Sequence, residues 1–238
     1  PTMAERRDVT DRYLSPLAQE GRKMFADATD EHLTPFGVVT CASCHPDAGE
    51  DGLSWRIETD EIPVKVRRTP PVWEVDASAK PLHWDGEFDS TDDLVLTTIQ
   101  QLMGGDGLLI DTAAISAYLG EALPPPGGPP SASNGEAVSR GQAIFESPGV
   151  GCATCHVGNR GTDGQAHAVL SESEQAAGVL DEVITPPLTG IRGRAPYGHD
   201  GRASDLASLF DDHSGDHGGM LELSPAERAD VVAYLRSR

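Results

Sequence analysis

The most regular pattern of apolar positions lies at the end of the chain, where Val231, Val232 and Leu235 recur at helical spacing. Ser224-Pro225-Ala-Glu227 precedes them. This is a capping box with proline at the first helical position, so a helix is expected to start there. A second stripe, Leu94, Ile99 and Leu102, predicts a helix capped by Thr91 and ending at Met103. A third, Leu206, Leu209 and Phe210, predicts a short helix capped by Ser204. Asp111 is the expected N-cap of a further helix that ends near Leu119. Two more helices carry Gly21-Arg-Lys-Met-Phe25 and Gly141-Gln-Ala-Ile-Phe145, each glycine permitting close approach of another helix. No segment reads as a sheet. The expected fold is mostly α and loop-rich.

The elements come in two matched sets. Gly21 to Phe25 has its counterpart in Gly141 to Phe145, and Arg68-Thr-Pro-Pro-Val72 in Ile184-Thr-Pro-Pro-Leu188. His83-Trp-Asp-Gly86 pairs with Gly198-His-Asp-Gly201, and Ala117-Tyr118-Leu119 with Ala233-Tyr234-Leu235. With the cysteine motifs described below, five blocks recur in one order, which is a duplication. Between the halves runs Leu123-Pro-Pro-Pro-Gly-Gly-Pro-Pro-Ser-Ala-Ser-Asn-Gly135, whose prolines fix φ and remove donors while glycine and serine loosen the rest. The expected organisation is an extension over 1–10, a first domain over 11–122, a linker over 123–134 and a second domain over 135–238.

A formal charge of −20 repels nucleic acid and anionic membrane surfaces, and steers a basic partner toward the protein. No apolar run is long enough to cross a bilayer. Aromatic residues make up 5% of the chain, which is thin for this size unless a large apolar group completes the cores.

That group is indicated by the cysteines. All four lie in Cys41-Ala-Ser-Cys44-His45 and Cys152-Ala-Thr-Cys155-His156. C-x-x-C-H is the attachment pattern of c-type haem, with two thiols for the vinyl groups and an adjacent imidazole for the iron. A zinc site wants two such units converging on one metal, and a dithiol redox centre does not need the histidine. Two covalent haems are therefore expected, with His45 and His156 as proximal ligands. Attachment of this kind takes place outside the bacterial cytoplasm, so a periplasmic location is expected. No signal peptide is visible, and Pro1 reads as a processed or trimmed start.

The distal position decides between an electron carrier and an open site that admits a small ligand. In the first half the candidate is Met103, set at a helix end before Gly104-Gly105; its competitors are core packing by the thioether and His83 as ligand. In the second half the order of preference is His217, then His213, then Met220. His199 beside Asp200-Gly201 is expected to bond a propionate or loop backbone. Trp84 reads as an inter-haem relay or as core, and Trp55 and Trp73 as packing.

The paired C-x-x-C-H motifs, Arg68-Thr-Pro-Pro71, Trp84-Asp85-Gly86, Thr185-Pro-Pro187 and Ala195-Pro-Tyr-Gly-His-Asp-Gly201 together resemble the dihaem cytochrome c peroxidase and MauG superfamily over nearly the whole chain. The resemblance implies two tandem class I cytochrome c-like domains and places Trp84 between the haems. In relatives the second distal ligand lies near the position of His213, and in a subgroup at His217-Gly218. Two departures bear on activity. The segment from Pro46 to Leu82 lacks the displaceable histidine of the peroxidases, and Leu102 to Leu109 lacks their acid–base glutamate, with Asp106 a shorter substitute. The expected function is electron transfer between redox proteins, the partner presenting a basic surface. The alternative is hydrogen peroxide reduction, or a MauG-like oxidation, at an open first haem. A calcium ion between the domains is not inferable from the aspartates.

Overall fold

The computed structural model describes residues 14–58, 64–75, 81–122, 135–171, 175, 180–212, 217 and 222–238. The expected extension over 1–10 and linker over 123–134 lie outside them.

Two sets of elements follow one another. The first comprises α1 (Pro16–Phe25), α2 (Cys41–Cys44), β1 (Ser54–Ile57), β2 (Lys65–Arg68), α3 (Thr91–Thr98) and α4 (Thr112–Glu121). The second comprises α5 (Gly135–Phe145), α6 (Cys152–Cys155), β3 (Ala166–His167), β4 (Val183–Ile184), α7 (Leu206–Asp212) and α8 (Pro225–Leu235). The strands were not expected. β1 pairs with β2 and β3 with β4 as short antiparallel hairpins, too brief to show a two-residue period in the sequence.

Helix starts follow from side chains that take up free N–H groups. Ser15 accepts from Ala18 N, Asp111 from Ala114 N, and Ser224 with Glu227 forms the expected reciprocal box. Two caps fall one residue from their expected places. Ser90, not Thr91, accepts from Asp93 N, and Asp205, not Ser204, accepts from Ser208 N at 2.8 Å. In each case the helix takes the neighbouring hydroxyl or carboxylate, and Ser90 has the extended backbone that lets its side chain fold back.

Within each half the first and last helices pack together, α1 on α4 and α5 on α8. A glycine sets the approach. A Cβ on Gly21 would lie 1.8 Å from Ala114 O, and one on Gly141 would lie 1.9 Å from Asp230 O. Around these crossings the cores assemble, Phe25, Tyr118 and Leu119 in one and Phe145, Tyr234 and Leu235 in the other. Trp73 belongs to the first core. Trp55 does not: it is exposed, and its indole N–H donates to Asp51 Oδ2 at 2.9 Å and Thr69 Oγ1 at 3.1 Å.

The halves meet through a reciprocal exchange. The N–H of Arg68 donates to His199 O at 2.7 Å, and the N–H of Ile184 donates to Trp84 O at 2.9 Å. Matching bridges, Leu82 with Phe88 and Tyr197 with Ala203, shape the two loops that accept these bonds. Gly86 lies against Ile184 and Gly201 against Ser54 and Arg68, both with positive φ, so no side chain holds the loops apart. No helix among the described residues is long and apolar enough to cross a membrane.

Candidate haem sites

Cys41 to Cys44 and Cys152 to Cys155 each form a single helical turn, and the following histidine closes it with its N–H on the first cysteine's carbonyl. His45 Nδ1 lies 3.2 Å from Gly49 O, and His156 Nδ1 lies 2.8 Å from Gly161 O. A carbonyl only accepts, so Nδ1 carries the proton and Nε2 keeps its lone pair. Burial holds both imidazoles below their usual range and therefore neutral. This is the tautomer, held by an outer hydrogen bond, that a metal ligand needs. Burial also pushes the Cys41 and Cys152 thiols up to about 11. Half-buried cysteines with no disulfide, beside an oriented neutral imidazole, suit thioether attachment and iron ligation.

On the far side of His156 stands His217. The two rings are 6.2 Å apart between centroids and tilted by 35°. Imidazoles on opposite faces of one metal, with metal–nitrogen bonds of about 2 Å, place their centroids about 6 Å apart. His213 and Met220, the other candidates, lie outside the described residues.

In the first half α3 runs on into a wider π-type turn over Ile99–Met103, stopped by Gly104 at φ 78°. Such turns often occur at functional sites. Met103 is buried in the apolar cluster against which Cys41 and Ala42 also pack. His83 is turned elsewhere, with Nδ1 2.7 Å from Glu87 Oε1. Asp106 is exposed; it accepts from Leu108 N and meets His32 Nδ1 at 2.8 Å, contacts that hold its carboxyl below the usual range.

Trp84 lies in a small cluster with Leu170, Leu180 and Val183 from the other half. Its indole N–H donates to Arg68 O at 2.8 Å, and its ring stands edge-on to His199 with centroids 6.4 Å apart. His83, Asp85 and Glu87 bring three ligand atoms close together, but Lys65 already donates to both carboxylates, at 2.9 and 3.2 Å.

Residues 138–238 match the cytochrome c family. The methylamine utilization protein MauG of Methylorubrum extorquens is 28% identical over 290 residues, spanning 94% of this chain and 79% of that protein. The chain is similar to members of the MauG and dihaem peroxidase superfamily. Two solved structures share its fold. Hydrazine synthase of Kuenenia stuttgartiensis superposes with a TM-score of 0.80 at 23% identity, covering 95% of this chain and 88% of that one. The dihaem peroxidase BthA of Burkholderia thailandensis superposes with a TM-score of 0.64 at 17% identity, covering 94% and 86%. The fold is accordingly mostly helical, loop-rich and of cytochrome c type, and c-type haem is its cofactor.

One feature of this chain has no signature in the sequence. Glu50 and Arg68 of the first half meet Arg194 of the second in a buried charge cluster. Arg194 Nε donates to Glu50 Oε1 at 2.7 Å, Arg68 Nη2 pairs with Glu50 Oε2, and the same Nη2 donates to Arg194 O. The three residues lie far apart along the chain, and only the reciprocal contact of the halves brings them together.

Proposed function

We propose that the chain is a dihaem c-type cytochrome that carries electrons between redox proteins outside the cytoplasm. Cys41 with Cys44 and Cys152 with Cys155 each anchor one haem, and His45 and His156 bind iron from the proximal side through Nε2. The bound haems supply one-electron iron couples. His217 closes the second site from the distal side, and the 6.2 Å ring separation from His156 is the observation that carries this reading. Met103 closes the first site, its flexible thioether delivered by the π-type turn and released from the helix by Gly104. With both sites filled by side chains, no position is left for a peroxide. Asp106 supports the same reading, because a carboxylate held ionised by His32 and Leu108 N is a poor proton donor. Trp84, packed at the junction of the halves, bonds to both of them, to Arg68 O through its indole and to Ile184 N through its carbonyl. An acidic surface of this charge favours a partner with a basic docking face.

The second reading is an enzyme with an open first site, a peroxidase or MauG-like oxidase. It is favoured by the names of the relatives, a methylamine utilization protein and a dihaem peroxidase. An EPR spectrum of the oxidised protein decides. Two low-spin ferric signals, unchanged by hydrogen peroxide, are expected of the carrier; a high-spin signal from the first haem overturns it.

A further inference from the structure

The Glu50–Arg68–Arg194 cluster holds two guanidinium groups against one carboxylate, with side-chain exposures of 5%, 2% and 6% in that order. A net positive charge buried so deeply is costly unless a further anion meets it. Arg68 has a donor left for that purpose: its Nε–H is buried and reaches no acceptor, although the other edge of the same guanidinium is engaged. Among the described residues no carboxylate other than Glu50 reaches the two guanidinium groups. An anion bound to the protein would fill this place.

We propose that Arg68, backed by Arg194, binds a propionate of the first haem. The inference rests on the haem-binding part of the reading above and not on electron transfer. The first haem is assigned by chain continuity. Glu50 directly follows Gly49, whose carbonyl holds His45 Nδ1, and Glu50 pairs directly with Arg68. A propionate paired in this way gives a charge-assisted contact, because the guanidinium fork matches a carboxylate. Since Arg194 donates from the second half to Glu50 and to Pro187 O, the first haem's carboxylate is tied to the fold of the second. Arg68 and Arg194 thus become positioning residues for the cofactor.

The test uses the intact dihaem protein and Arg68→Gln. Glu50 keeps Arg194 as its partner in this variant, so no carboxylate is stranded. Haem stoichiometry by pyridine haemochrome first establishes that both haems are present, which separates failure of the haem reading from failure of this proposal. Reduction makes a haem one unit more negative, so a cation at its propionate favours the reduced form. The expected result is a lower midpoint potential for the first haem alone, with a shifted propionate bending band in its resonance Raman spectrum. Unchanged potential and band, or a change confined to the second haem, overturns the proposal. If Arg68→Gln does not retain haem, Arg68→Lys keeps the charge but loses Nε–H; a shifted propionate band with a near wild-type potential is expected, and an unshifted band refutes the site. A free inorganic anion is distinguished by adding chloride at constant ionic strength to the wild type. A chloride-dependent band or potential overturns the propionate assignment.

Discussion

Ile184 of the second half donates its backbone N–H to the Trp84 carbonyl of the first at 2.9 Å, and Arg68 returns the same bond to His199. The loops that accept these bonds approach closely because Gly86 and Gly201 carry no side chain at the point of contact. A Cβ on Gly201 would come within 2.4 Å of Ser54 Oγ, and φ is +72° there. Gly201→Ala is expected to cost about 1–3 kcal/mol, from left-handed backbone strain and overpacking. Urea unfolding followed at the Soret band measures it; a loss below the error of the method contradicts the close junction.

The helix crossings make a sharper comparison. Gly141→Ala drives a Cβ into the backbone of Asp230, and a rigid carbonyl cannot step aside. The expected destabilisation is about 3 kcal/mol or more. Gly135→Ala on the same helix meets nothing within 4 Å and should change stability by less than about 1 kcal/mol. Equal effects at the two positions would argue against the α5–α8 contact.

Replacing the distal residues separates the two sites. Met103→Ala is expected to let cyanide bind the first haem, and to lower its potential with the loss of thioether ligation. His217→Ala should open the second haem instead. Titration with cyanide, followed by absorption in each variant, reads both outcomes. Cyanide binding by the wild type at the first haem, unaltered in Met103→Ala, would show that the methionine is only core.

Acid stability has a local contribution at the surface. Glu87 is held at about 2 by its contacts with His83 and Lys65, below the ordinary 4.5. A depressed carboxyl stabilises the fold above its unfolded value, and that contribution is lost as pH falls through the folded value. Wild type is therefore expected to lose stability relative to Glu87→Gln between about pH 4.5 and 2. Parallel pH profiles for the two proteins would refute the contribution.

Removing the haem exposes different chemistry. With its thiol pushed up to about 11 by burial, Cys41 in haem-free protein should hold roughly 100-fold less thiolate at neutral pH than an ordinary cysteine. Iodoacetamide alkylation of a haem-free Cys44→Ser variant is expected to be correspondingly slow and to accelerate up to about pH 11. Rapid alkylation at pH 7 would mean that Cys41 is exposed without its cofactor.

Much of this was legible from residue order alone. The Ser224–Glu227 box and Asp111 announce their helices because capping depends on a few adjacent residues. Gly21 and Gly141 mark the crossings because one missing Cβ decides them. His45 and His156, the proximal ligands of the proposed haem sites, are likewise local features of a five-residue motif. His217 ranked first among three candidates, but only its place across from His156 gives that choice geometric support. The short hairpins escaped notice because two to four residues give too little alternation. Arg68 was noticed for the prolines after it, not for its charge, since its partners Glu50 and Arg194 are set by contact of the halves rather than by spacing.

The exchange between Arg68 and His199, mirrored by Ile184 and Trp84, has the form of an isologous interface, in which one patch meets its own copy across a two-fold axis. Such an interface is what a homodimer of a single half would make. Within one chain the residues nearest the axis are free to differ, and there the indole of Trp84 stands edge-on to the imidazole of His199. The difference between the halves is thus lodged where a symmetric dimer would require identity.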